Sequence, residues 1–158
     1  MNRLTPLRVW DPSGPTPELG TAHALKLMKE MYAWDIATRS SIIDARGMVL
    51  DVTEFDYKAI NKVIFDENGV KIRTIPAIHS IDGAVSFILE WNGLKLTYSS
   101  DTAPNKWWLE HTKDSDLSIH ESFLPPSLMI SKQGFTPKEE VTKARQRYLL
   151  DGSNLNRA

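Results

Sequence analysis

The chain contains no cysteine. That excludes disulfides and any thiolate zinc centre, so a metal would have to be held by histidine and carboxylate. Long apolar runs are missing as well. Nothing approaches the ~20 residues a membrane helix needs, and no membrane span is expected. The first residues, "MNRLTPLRVWDPSGP", lack the apolar core of a secretory leader, which together with the absence of cysteine predicts a cytoplasmic protein. Excess charge of one sign is lacking too: Lys and Arg number 19 and Asp and Glu 20, for a formal net charge of -1. A near-neutral chain argues against a broad basic surface for gripping nucleic acid, though not against a local patch. There is no internal repeat and no low-complexity segment. What is there is 158 residues, 41% hydrophobic and 25% charged, the ordinary make-up of one globular domain with one core.

The order of elements predicts an α+β fold, mostly strands with a helix near each end. Leu7 to Trp10 reads as a short apolar strand ended by the turn cluster "DPSGPTP". From Pro17 to Trp34 the pattern is helical, with Leu19, Ala22, Leu25, Met28 and Tyr32 on one face and Thr16-Pro17 as cap and first-turn proline. "SSIID" and "MVLDVTEF" read as strands flanking Gly47, and "KVIFDENGVKIRTIPAI" as two β-rich runs joined at Asn68-Gly69. "VSFILEW", "NG" and "LKLTYSS" give the clearest local signal, because Asn-Gly readily takes the left-handed backbone of a two-residue type I′ turn. Phe87, Leu89 and Trp91 would then share one face, and Leu94, Leu96 and Tyr98 would line one face of the return strand. A short helix is expected from about Pro104, a short buried strand at "DLSIHE", and a helix at "FTPKEEVTKARQRYLL" started by Thr136, Pro137 and Glu139.

Four histidines could carry chemistry. His23 has no nearby acid on its helix and reads as structural, while His111 sits in a charged helix end facing water near the C-terminal carbonyls. His79 lies just beyond a β-branched strand, and Asp101 ends the hairpin's return strand among small residues. Strand ends of this kind can assemble a metal site from distant sequence. Asp101 has an equally good reading as the N-cap of the helix that follows. In "SIHES", His120 stands beside Glu121, a pairing suited to proton transfer. Adjacent strand residues point to opposite faces, however, so the two side chains need not touch.

Taken together, "PAIHSIDGAVSFILEWNGLKLTYSSDTAPN" and "SDLSIHESF" resemble the metallo-β-lactamase superfamily, in particular its ribonuclease Z-like branch and the metallo-β-lactamases related to it. "VWDPSG" and "EFDYKAINKVIFDENGVKIRTIPAIH" fit that branch, so the resemblance runs from about Leu7 to Phe123. It implies part of an αββα sandwich with zinc, one or two ions, or another divalent metal, at the sheet edge. His79 matches a metal-ligating histidine and Asp101 the carboxylate that bridges two metals. His120 and Glu121 match a catalytic His-Glu pair linked to proton transfer. The implied chemistry is hydrolysis of a phosphodiester, ester or amide by a metal-activated water.

The family's H-x-H-x-D-H loop is absent, and no histidine follows His120. Residues 1–158 are therefore expected to form a single, incomplete domain of this kind, without most of its ligands. A catalytic zinc usually takes three protein ligands and a water. Two functions follow as expectations. The first is a metallo-hydrolase that is inactive as this isolated chain, acting when complete on a small molecule or phosphodiester, with RNA less favoured by the neutral charge. The second is a truncated or degenerate relative, metal-free and non-catalytic, that works as an interaction module. An uncovered sheet edge and apolar faces would favour a homo-oligomer or a completing chain in either case.

Overall fold

The structure, a computed structural model, describes residues 3–122. The helix expected at "FTPKEEVTKARQRYLL" lies outside the described residues. The chain divides into two compact units, Met1–Tyr57 and Lys58–Ala158.

The first unit is built on two parallel strands, β1 (Leu7–Pro12) and β2 (Leu50–Phe55), in register from Leu7↔Leu50 to Pro12↔Phe55. Parallel strands need a long crossover. Here it contains α1 (Thr21–Met31) and α2 (Ala33–Arg39), with 3-10 turns at Pro17–Leu19 and Ala45–Met48. The single helix expected from Pro17 to Trp34 is thus divided into three pieces. Thr16 does precede the first turn, but its side chain makes no capping bond. Gly20 then interrupts in an extended conformation and has no side chain to cap α1. Glu54 on β2 takes over that role: its Oε1 accepts the Ala22 N–H at 2.8 Å. A Cβ at Gly20 would run into that same carboxylate, so a side chain there would push Glu54 off the cap. The expected inward stripe is not buried, with Leu19, Met28 and Tyr32 all exposed. "SSIID" is not a strand either. Asp44 instead caps the second 3-10 turn through Arg46 N–H at 2.9 Å.

The second unit is a five-stranded sheet in the order β3-β4-β5-β6-β7, antiparallel except for the β6–β7 pair. The strands are β3 (Lys62–Glu67), β4 (Val70–Pro76), β5 (Val85–Trp91), β6 (Leu94–Tyr98) and β7 (Leu117–Ile119). Both Asn-Gly turns form as expected. Asn68 and Gly69 have φ of 53° and 77°, and Asn92 and Gly93 have 50° and 78°. The register confirms the shared faces, pairing Phe87↔Tyr98, Leu89↔Leu96 and Trp91↔Leu94.

The core lies against the opposite face. Ile75 and Ile88 pack with Trp107 and Trp108 of α3 (Lys106–His111), with Ile78 against them. Both tryptophans are therefore core side chains. The expected buried strand at "DLSIHE" is a correction: β7 is exposed at all three residues. Among the described residues it is the edge of the sheet, short and paired only with β6.

Candidate metal centre

Two strand ends meet beyond the sheet. The chain leaving β4 pairs with the chain leaving β6 through an isolated antiparallel bridge, Ile78↔Ala103, in which Ala103 N–H donates to the Ile78 carbonyl at 2.8 Å. Thr102 fastens it. Its hydroxyl is wholly buried, accepts Ile78 N–H at 2.8 Å and Asn105 Nδ2–H at 3.1 Å, and donates to the Ala103 carbonyl at 2.9 Å. Ser100, with φ of 54°, turns the backbone into the left-handed region just before Asp101.

This bridge sets His79 beside Asp101, with Nε2 and Oδ2 3.0 Å apart. Ile81 N–H donates to His79 Nδ1 at 3.3 Å, so the neutral ring carries its proton on Nε2 and gives it to Asp101. The carboxylate is 70% exposed and the imidazole 27%. So open a contact contributes little to stability, and both groups can be reached by a ligand from solvent.

Asp101 is not the helix cap. Asn105 holds that position, and its side chain accepts Trp108 N–H at 2.9 Å. The carboxylate is left for other chemistry.

His120 and Glu121 follow β7, and they diverge. Glu121 turns toward the bridge, where Oε1 accepts the backbone N–H of Thr102, next to Asp101. Its own N–H donates to Ser99 Oγ at 3.0 Å. His120 packs edge-on against Trp108, ring centres 5.1 Å apart at 83°. Its Nδ1 lies 2.7 Å from the Glu121 carbonyl, which can only accept, so Nε2 of the neutral ring keeps its lone pair. The His120 ring meets the backbone carbonyl of Glu121, whereas the Glu121 carboxylate turns to Thr102.

The sequence-predicted residues thus fall into a pair and two flanking groups. His79 and Asp101 touch, Glu121 joins them through Thr102, and His120 stands on the tryptophan side. Ser99 and Thr102 were not singled out from sequence. Their only signal there is a run of small hydroxyl residues, "SSDT", between a strand and a helix. His23 and His111 are in α1 and at the end of α3, both half-buried. The His111 carbonyl accepts from Lys95 Nζ at 2.8 Å.

The donor set can be tested against zinc. Two ligands on one tetrahedral zinc, with bonds of 2.0–2.2 Å, stand about 3.3 Å apart. The His79–Asp101 separation is close to that edge. Among the described residues, however, no group of three or more His, Cys, Asp or Glu gathers around one point. Two donors fit one edge of a coordination shell and do not complete a catalytic zinc site.

Over 80 residues the chain is 38% identical to Ribonuclease Z 1 of Schizosaccharomyces pombe (strain 972 / ATCC 24843). The match covers 49% of this chain and 10% of that protein, so the likeness concerns a small part of the relative. No family model matches the chain.

Proposed function

We propose that the chain carries one wall of a metal-dependent hydrolase site of the metallo-β-lactamase kind. His79 and Asp101 are the metal-facing donors of that wall, and His120 and Glu121 its proton-transfer side. In this reading the five-stranded sheet with α3 on one face is one layer of the family's sandwich, and zinc or another divalent metal is the ion. The whole protein's substrate would be a phosphodiester, ester or amide, and the ribonuclease likeness favours the phosphodiester. The observation that carries the proposal is the His79–Asp101 pair at 3.0 Å, held by two strand ends and left open to solvent.

Because these donors form only one edge, the described residues would bind zinc weakly and turn nothing over alone. Calorimetric titration of the full chain with zinc tests this. Weak binding that both Asp101→Ala and His79→Ala abolish is the expected result. Binding that survives both substitutions, or no binding up to the solubility limit of zinc, would sink the reading. Zinc-dependent hydrolysis of a generic phosphodiester that disappears in Asp101→Ala would overturn the expectation of inactivity.

The second reading, a non-catalytic interaction module, is favoured by one observation: no third ligand stands near the pair among the described residues. Failure to bind zinc at all would select it.

A further inference from the structure

Asp101 stands in a short turn that is fixed at both ends. Ser99 before it and Thr102 after it are wholly buried. Ser99 N–H donates to the Ile119 carbonyl at 3.0 Å, and the Ser99 carbonyl accepts the buried Ser86 hydroxyl at 2.6 Å. Thr102 is tied to Ile78 through its hydroxyl. Between these anchors Ser100 holds a φ of 54°, a left-handed backbone that a residue with a side chain keeps only where its surroundings impose it. Glu121, leaving the end of β7, reaches both anchors. Its N–H donates to Ser99 Oγ at 3.0 Å, and its Oε1 accepts the Thr102 N–H.

We propose that Glu121 is a positioning residue for Asp101: it braces the turn from Ser99 to Thr102 and thereby aims the Asp101 carboxylate. The Thr102 N–H shares a rigid peptide plane with the Asp101 carbonyl. A hydrogen bond that holds this plane holds ψ of Asp101, and with Ser99 anchored at the other end the Asp101 side chain leaves the backbone in one direction. That direction matters because the carboxylate is largely exposed. Packing does little to aim it, so the backbone and the His79 contact must. Without the Glu121 carboxylate the buried Thr102 N–H loses this acceptor, and the plane is free to turn toward another. A charged acceptor suits the task, since hydrogen bonds to a carboxylate are stronger than neutral ones. The inference rests on the reading of Asp101 as a metal-facing donor. It adds to the proton-transfer role, because a brace needs an acceptor oxygen and no movable proton.

Amide hydrogen exchange measured by NMR on the full chain, without metal, reads the brace directly. In Glu121→Ala the Thr102 amide should exchange roughly tenfold faster than in the wild type, with the amides of β4 and β5 unchanged as the check on folding. Glu121→Gln keeps an acceptor oxygen at the same reach, and it should restore most of the protection. Zinc titration of the same samples, followed at the His79 ring, reads the positioning. Glu121→Ala should bind about tenfold more weakly, seen as a loss of most of the shift at the zinc concentration that half-saturates the wild type. Glu121→Gln should recover most of that shift. A Thr102 amide that Glu121→Ala leaves protected would overturn the proposal. So would a freed amide with zinc affinity unchanged, or a Glu121→Gln variant that rescues neither measurement. A wild type that binds no zinc would remove the metal reading instead, and the exchange of Thr102 alone would then decide whether Glu121 braces the turn.

Discussion

Thr102 shows how much one hydroxyl can organise. It is buried, ties Ile78 to the start of the next loop, and sits between Asp101 and the Asn105 cap. Replacing it with valine keeps the shape but leaves the Ile78 N–H without its acceptor. An orphaned buried donor costs about 1–3 kcal/mol, so Thr102→Val should lower stability by that amount in urea unfolding. It should also weaken zinc binding, because His79 and Asp101 would lose the bridge that sets their spacing; unchanged binding would mean the pair is held elsewhere. The pair itself was legible from sequence only through the family resemblance. On local features Asp101 read equally well as a helix cap, and only the Asn105–Trp108 bond decides between them. Elsewhere, Asp44 makes a charge statement that can be checked by pH. Its side-chain and backbone bonds with Arg46 hold its carboxyl down at about 2, against an ordinary 3.8. A depressed folded value means the contribution to stability is complete above 3.8 and is lost as pH falls from there through about 2. The Asp44 side chain is 28% exposed and that of its partner Arg46 65%, so solvent screens the pair and the effect is small. Asp44→Asn should flatten the pH dependence of the melting temperature in that window and lower the melting temperature slightly at neutral pH, where the contribution is complete.

At the scale of elements, what could be read from sequence depended on how local the determinant is. Both hairpins were legible because Asn-Gly carries its own backbone preference, independent of what the strands later touch. Gly93 makes the point testable. A Cβ there would meet nothing within 4 Å, yet its φ is 78°. The cost of Gly93→Ala is therefore conformational alone, about 1–2 kcal/mol. Thermal unfolding should show that loss with no change in the pattern of strand pairing. Elements fixed by distant partners were less legible. The periodicity from Pro17 to Trp34 suggested one helix, but its start is capped by a carboxylate 32 residues away on β2. Neither Glu54 nor the break at Gly20 is visible in a period of 3.6. The apolar run at β7 predicted burial, since hydrophobic strands usually are buried. Its position at a sheet edge, a property of topology, left it exposed instead.

For the whole molecule, metal supply and stability are linked, and the donor count fixes the size of the effect. A ligand that binds only the folded chain stabilises it by RT ln(1 + [L]/Kd). Two donors, one of them a largely exposed carboxylate, give a dissociation constant no lower than the zinc concentrations that can be reached without precipitation. At free zinc equal to Kd the gain is about 0.4 kcal/mol. For a chain of this size that raises the melting temperature by only about 1–2 °C. A chelator should accordingly leave the melting temperature of chelator-free purified protein unchanged, and zinc at its highest soluble concentration should raise it by no more than that, with no rise in Asp101→Ala. A family site with its full ligand set behaves oppositely: at zinc 1,000 times Kd the gain is about 4.1 kcal/mol, and the melting temperature climbs by roughly 10 °C or more. Differential scanning fluorimetry with and without zinc separates the two. A large zinc-dependent rise that Asp101→Ala removes would mean that further donors reach His79 and Asp101, from beyond the described residues or from another chain. A small one would mean that these residues alone are a foothold for a metal, not a site.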